Sequence, residues 1–259
     1  MRPRLGGWAS GWPFPTAIPR VWFRQAFRSR WHTALMDAAD AVARLSATVD
    51  RLAARGFDIR PLVVGSPASP SQVDEVENQL GCTLPGSLRR ILTTVASRVE
   101  FNWYAPTDRT FPEPFDEIFA GHLVWSLEAL PELMGAARGW MRYACPDRED
   151  PYQRVWYDKL PVMAVGNGDY VALDLDPDEH GRVVYVSHDG GEGHGHVMAA
   201  SFEDLLTRWI PLACPGAVDV LWWPFRAESD GRIDPSSAIA RQWIALLGLD
   251  VGSSTGEAS

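Results

Sequence analysis

Three short apolar runs joined by two polar turns constrain the fold of this chain more than any other feature. The runs extend from Leu160 to Val165, from Tyr170 to Leu175 and from Val183 to Ser187. They are rich in valine, leucine and tyrosine, a composition typical of buried strands. The connections "GNGD" and "DPDEHG" carry the glycine, asparagine and aspartate of tight turns. The pattern predicts an antiparallel β-meander.

Two helices are predicted ahead of the meander. Ser69, Pro70 and Gln72 form a capping box that begins the first helix, and Gly81 ends it. The stretch "LPGSLRRIL" begins the second helix, with Ser87 at its cap position. A strand, "VEFNWY", is expected to follow this helix pair.

Two more helices complete the α+β pattern. "WSLEALPELM" predicts a short helix capped by Ser126, and "SFEDLLTRW" predicts one capped by Ser201 with Asp204 at its third position. The expected fold is an antiparallel sheet bracketed by helices, with an N-terminal helical extension. We expect one shared core that contains Leu84, Leu88, Ile91, Val171, Leu173, Val184, Val186, Phe202 and Leu205.

The two ends of the chain differ from this central unit. The first 31 residues combine six arginines with seven aromatic side chains, which can bind nucleic acid or a membrane surface. We favour an arm packed on the acidic body, or an upstream extension with the working start at Met36. Amphipathic helices are expected over 29–55 and 236–247, the second burying Ile239, Trp243 and Leu246, and a disordered tail follows. The predicted divisions are 1–60, 61–215 and 216–259.

Charge and cysteine content narrow the partner classes. Residues 61–259 carry 14 basic side chains against 29 acidic ones, a formal net charge of −15 that disfavours nucleic acid and favours basic partners. No run of 18 apolar residues indicates a membrane span. Three widely spaced cysteines suit buried thiols in the cytoplasm. A single lysine beside 23 arginines indicates a GC-rich, bacterial genome.

The order of four motifs resembles the SUKH superfamily, also called the Smi/Knr-like family. The motifs are Glu77 followed by "LGCTLPGSLRRIL", then "VGNGDYVALDL", "VVYVSHD" and "MAASFEDLLTRW", over roughly residues 66–210. The chain departs from the family where "ASRVEF" replaces the usual Asn-Gly after the second helix. Both ends of the chain fall outside the resemblance.

The resemblance implies an α+β fold and a binding function without catalysis. In bacteria it implies an immunity protein that binds and neutralises a cognate toxin domain. We expect this toxin domain to be basic, and a nuclease is one candidate activity for it. Eukaryotic relatives include intracellular signalling scaffolds, so a generic regulatory scaffold is an alternative. No cofactor, catalytic residue, nucleic acid or membrane is implied.

The segment "HDGGEGHGH", residues 188–196, is a candidate metal or catalytic loop that we call the histidine loop. His188, His194 and His196 could serve a metal-dependent enzyme, which is the rival function. The glycines between them predict flexible backbone, which opposes metal binding because ordering costs entropy. We favour a structural or partner-contact loop, in which the glycines provide positive φ and Asp189 accepts backbone N–H bonds, and expect no metal site.

The candidate partner-binding residues are six acids in two loops of the meander. Electrostatic complementarity with a basic partner raises the association rate and specificity. A merely solvated acidic rim is an equally simple interpretation, because turns are commonly acidic. The spacing of the acids also resembles a calcium loop, but Glu179 stands where an EF-hand requires glycine. The predicted contact residues are Asp174, Asp176, Asp178, Glu179, Asp189 and Glu192.

Overall fold

The structure, a computed structural model, describes residues 38–249 of the chain. The predicted basic arm, the start of the first amphipathic helix and the C-terminal tail lie outside the described residues. Residues 38–43 are helical and lead into the first named element. In order, the elements are α1 (Leu45–Ala53), β1 (Asp58–Ile59), β2 (Val63–Val64), α2 (Pro70–Leu80), α3 (Gly86–Thr94), β3 (Arg98–Tyr104), β4 (Ala120–Ser126), α4 (Leu130–Ala144), α5 (Pro151–Arg154), β5 (Lys159–Ala164), β6 (Tyr170–Asp174), β7 (Val183–Val186), β8 (Val197–Ala199), α6 (Phe202–Trp209), α7 (Asp219–Trp222) and α8 (Ala238–Leu247).

The strands form two antiparallel sheets, so the predicted α+β class is confirmed. In the first sheet β3 pairs with β4 along its whole length, and with the short strands β1 and β2 on its other side. The second sheet has the order β5-β6-β7-β8 and contains the predicted meander as its first three strands. Strand β8, which returns from the histidine loop, was not predicted.

The helix pair α2 and α3 begins as its sequence indicates, with one correction. Ser69 and Gln72 form the predicted capping box, and Gly81 ends α2 with a φ of 72°. Ser87 does not cap α3, because that helix already begins at Gly86. The Ser87 hydroxyl is buried and accepts a hydrogen bond from the backbone N–H of Phe202 at 3.3 Å.

Glu77 of α2 ties the turn between the two helices to α3. Its Oε1 accepts the backbone N–H of Leu84 at 2.8 Å, and its Oε2 pairs with Nη1 of Arg89 at 2.6 Å. Arg89 also pairs with the exposed Asp74. The Glu77 side chain therefore fixes the "LG…LP" turn that follows it in the sequence.

The predicted helix cap at Ser126 is wrong. Ser126 ends β4, opposite Arg98 of β3, and α4 begins only at Leu130. Gly121, Leu123 and Trp125 alternate with less buried positions along β4. This period of two is the pattern of a strand with one buried face, and full pairing with β3 overrides the local helix signal.

Two clusters fill the interior where one core was predicted. All nine predicted core residues are buried, but Val184 and Val186 lie with Trp156 in a smaller second cluster, whereas Val171 lies in the main one. Neighbouring residues of a strand point to opposite faces, so a sheet that is covered on both sides has two interiors. Helix α4 packs against β5 on the second side.

An ion pair between half-exposed Arg90 and buried Glu203 joins α3 to α6. Nε and Nη2 of Arg90 lie 2.8 and 2.9 Å from the two carboxylate oxygens of Glu203, which is 2% exposed. Ser201 caps α6 as predicted by accepting the N–H of Asp204 at 3.1 Å. The two-point contact between Arg90 and Glu203 holds α6 against α3.

The main hydrophobic cluster of the described residues includes side chains on both sides of positions 60 and 215. Leu45 of α1 and Trp243 of α8 lie in the main cluster with Leu88. Helix α8 begins at Ala238, two residues later than predicted, and buries Trp243 and Leu247. Leu246 is 37% exposed, which corrects its predicted place on the buried face. Among residues 38–249, no helix combines the length and apolarity needed to cross a bilayer.

Removing the carboxylate of Glu77 should destabilise the protein. We expect Glu77→Ala to lower the free energy of unfolding by about 1–3 kcal/mol, because it leaves the N–H of Leu84 without its partner. Asp74→Ala removes only the exposed partner of Arg89 and should cost under about 1 kcal/mol. Urea denaturation of both variants checks this, and equal effects would contradict the role given to Glu77.

Candidate functional site

The histidine loop is anchored at its start by a buried carboxylate. Asp169, in the turn between β5 and β6, is 1% exposed. It accepts hydrogen bonds from Nδ2 of Asn167 at 2.7 Å, from the hydroxyl of Tyr185 at 2.6 Å, and from the backbone N–H and Nδ1 of His188 at 2.8 and 2.7 Å. Burial raises the pKa of Asp169, but these hydrogen bonds outweigh it and leave the pKa below its usual value. The carboxylate thus stays ionised and holds His188 in place.

His194 anchors the middle of the loop to α5. Its Nδ1 accepts the backbone N–H of Ser187 at 3.0 Å, and its Nε2 donates to the carbonyl of Tyr152 at 2.9 Å. The Tyr152 ring stacks on the imidazole at 4.2 Å between centroids, and its hydroxyl donates to the carbonyl of Ser187. Burial lowers the pKa of His194. The ring is therefore neutral, with both nitrogens engaged.

The end of the loop is held by the segment after α6. The N–H of Gly193 donates to Oδ2 of Asp219 at 3.0 Å. Nε2 of His196 donates to the carbonyl of Gly231 at 2.6 Å, and the imidazole packs 5.2 Å from the ring of Trp223. The three histidines of the loop therefore have three different anchors.

The glycines of the loop provide the positive φ expected of a structural loop. Gly190 and Gly195 both have φ of 78°, a region that disfavours other residues. A Cβ on Gly193 would lie 2.6 Å from Cβ of Asp219, so only glycine permits this approach. The loop is held by hydrogen bonds along its length, and its turns require glycine.

The structure does not bring the three histidines together as a ligand set. Within the described residues, the group with ligand spacing is Asp169, His188 and Asp189. Asp169 already accepts four hydrogen bonds, and Oδ1 of Asp189 accepts the hydroxyl of Ser187 at 2.6 Å. These contacts use the oxygens to fold the loop. The arrangement suits an anchored loop better than the rival metal-dependent enzyme.

Asp174 is not a surface contact residue, which corrects its predicted role. It is 1% exposed, and its Oδ1 lies 3.3 Å from Nζ of Lys159 and accepts the N–H of Asp176 at 3.1 Å. Its Oδ2 lies 3.6 Å from Nη2 of Arg182. The carboxylate closes the β6–β7 hairpin from inside, because a buried charge requires partners of opposite charge.

The other five acids are exposed but lie in two separate patches. We call Asp176, Asp178 and Glu179 the hairpin patch, and Asp189 with Glu192 the loop patch. The patches lie at opposite ends of β7, whose four residues span roughly 13 Å. Arg182 pairs with Glu179 and so offsets part of the hairpin charge. The structure therefore has two separate acidic patches and no single continuous acidic surface formed by these five residues.

The sequence analysis missed the residues that position the loop. Asp169, Tyr185, Asp219 and Tyr152 were not singled out, although together they hold 188–196 in place. The "GD" of the first turn was the available sequence signal for Asp169. An aspartate in a turn is ordinarily exposed, so the pattern alone did not indicate that this one is buried. For Asp219 and Tyr152 no local pattern points to a loop 26 and 42 residues away.

Comparison with known proteins identifies one family. The family model described as SMI1 / KNR4 family (SUKH-1) matches residues 67–208. This range runs from the start of α2 through both helices of the pair, β3 to β8 and α6. No curated protein matches the chain with significant similarity.

Acidification should weaken the fold through His194. Burial holds the folded-state pKa of His194 below the ordinary value of 6.5. The contribution of His194 to the free energy of unfolding is therefore complete above pH 6.5, and it is lost as the pH falls from there through the folded-state pKa. Protonated Nδ1 would face the N–H of Ser187, donor against donor. We expect the free energy of unfolding to fall between pH of about 7.5 and about 5.5, and to fall less in His194→Gln.

The matched control for this measurement is His180→Gln, at an exposed histidine of the β6–β7 hairpin. The pKa values of His122 and His196 are also lowered by burial, so part of the pH dependence should remain in every variant. Identical pH profiles for His194→Gln and the wild type would contradict the role of His194.

Proposed function

We propose, from the premise that this chain belongs to the SMI1/KNR4 family (SUKH-1), that it is an immunity protein that binds and neutralises a cognate toxin domain. The observation that carries the proposal is the family match, which includes the helix pair and the whole second sheet. Family membership suggests a partner protein, and the toxin is our more specific inference.

Neutralisation by binding, without catalysis, fits the chemistry of the histidine loop. Asp169, His194 and Tyr185 are three of the side chains with catalytic potential there. The carboxylate of Asp169 and both nitrogens of His194 are engaged in holding backbone. Burial and the neighbouring Asp169 raise the pKa of Tyr185, so its hydroxyl stays protonated. Groups committed in this way stabilise a surface more readily than they turn over a substrate.

Charge supports a basic partner. Residues 61–259 carry a formal net charge of −15, and both exposed patches are acidic. Opposite charge steers association and excludes like-charged partners, an effect that weakens once the Debye length falls to about 10 Å at 0.1 M salt. A toxin domain that acts on nucleic acid would present such a basic face. Cytoplasmic location fits the three free cysteines, two of them buried.

Charge reversal of each patch should slow association with the toxin. The partner to test is a toxin domain encoded by a neighbouring reading frame, with association measured by stopped flow at low salt. Asp178→Lys and Glu192→Lys sample the hairpin and loop patches at exposed positions. We expect the pair together to lower the association rate constant by about tenfold at low salt, with a smaller difference at high salt.

Glu117→Lys is the matched control, because it reverses an exposed charge in the β3–β4 connection, outside both patches. If Asp178→Lys, Glu192→Lys and the double variant all associate at the wild-type rate, the acidic patches are rejected as contact sites and the immunity role stands. Failure of the wild-type chain to bind the toxin domain, or to protect cells that produce it, would reject the immunity role itself.

A further inference from the structure

A continuous chain of hydrogen bonds encloses the histidine loop from both of its ends. The N–H of His188 donates to Asp169, and the hydroxyl of Tyr185 donates to the same carboxylate at 2.6 Å. The Tyr185 hydroxyl in turn accepts the backbone N–H of Asp219 at 3.3 Å, and Asp219 accepts the N–H of Gly193. Tyr185 thus connects the carboxylate of Asp169, at the loop's start, to the backbone of Asp219, whose side chain holds the loop's end.

The same chain places α7 beside the loop patch. Because Gly193 approaches Asp219 so closely, Glu192 lies next to the first turn of α7. Val220, one residue further along α7, is 47% exposed and is one of the large hydrophobic side chains on the surface of the described residues. Trp223, at the end of α7, is half-buried and carries the guanidinium of Arg226 over its ring at 3.3 Å.

These side chains have the composition of a protein contact surface. Effective interfaces place apolar and aromatic groups at the centre and charged groups at the rim. Val220 and Trp223 supply the apolar part here, and Glu192 and Asp189 supply the acidic rim. In the hairpin patch the exposed residue between the acids is Pro177, and Glu179 is already paired with Arg182.

We infer that the histidine loop and α7 form one preformed contact surface for a basic segment of the toxin with an apolar anchor, and that Tyr185 is its positioning residue. This inference rests on the proposed function. A surface that is already ordered before binding avoids the entropy cost of ordering it. When the binding-ready conformation is only partly populated, the apparent dissociation constant rises by the same factor.

Hydrogen exchange of the free chain tests the positioning role. Tyr185→Phe keeps the buried ring but removes the hydroxyl that links Asp169 to Asp219. We expect amides of 188–193 to exchange roughly tenfold faster, the factor that corresponds to the loss of one ordinary hydrogen bond. Tyr157→Phe is the matched control, because it removes a hydroxyl that donates to the carbonyl of Cys145 outside the loop.

Asp219→Ala provides a second route if Tyr185→Phe unfolds the chain. It removes the carboxylate that accepts the N–H of Gly193 at the end of the loop and the N–H of Val220 in α7. Faster exchange confined to the loop supports the inference. Exchange at wild-type rates in both Tyr185→Phe and Asp219→Ala would overturn it.

Equilibrium binding to the neighbouring toxin domain tests the surface. We expect Val220→Arg and Tyr185→Phe to raise the dissociation constant by about tenfold or more, the first by direct repulsion and the second through the mobile loop. The salt dependence of Tyr185→Phe should match that of the wild type, because its surface charges are unchanged.

The two proposals fail in distinguishable ways. If the wild type binds the toxin and both variants bind equally well, the contact surface is wrong and the immunity role stands. If the wild type does not bind the toxin, the proposed function fails and this surface fails with it.

Discussion

The buried carboxylate of Asp169 is the constraint on which the candidate site depends. An ionised carboxylate removed from water costs several kcal/mol unless its oxygens accept hydrogen bonds. Asp169 meets this requirement with four donors drawn from three segments: its own turn, β7 and the histidine loop. The need to satisfy one charge therefore fixes the position of a long, glycine-rich loop. Exposed groups of that loop are held in place without being part of the core.

The same device recurs in the rest of the fold. Glu77 holds the turn between α2 and α3, Glu203 joins α3 to α6, and Asp174 closes the β6–β7 hairpin. These carboxylates are wholly or largely buried and engaged. The negative charge of the chain is thus partly internal, and only the remainder is available to a partner. This is why the acidic surface is smaller and more divided than the net charge of −15 implies.

Local sequence patterns predicted the secondary structure better than the site. Capping at Ser69 and Ser201 and the three strands of the meander depend on neighbours within a few residues, and all are confirmed. The cap at Ser126 failed because pairing with β3 decides that segment, and Ser87 failed because its partner, Phe202, is 115 residues away. Asp174 and Asp169 look like ordinary turn acids in the sequence. Their burial follows from packing that only the folded chain defines.

The most direct test of this account is a structure of the chain bound to the toxin domain encoded beside it. The account predicts that the histidine loop and α7 lie at the interface, with Glu192 within ion-pair distance of a toxin lysine or arginine. It also predicts that Asp169 keeps its bonds to Tyr185 and His188, so the loop is unchanged on binding. An interface formed by another face, such as the β1–β2 edge or α4, with the histidine loop left in solvent, would contradict it.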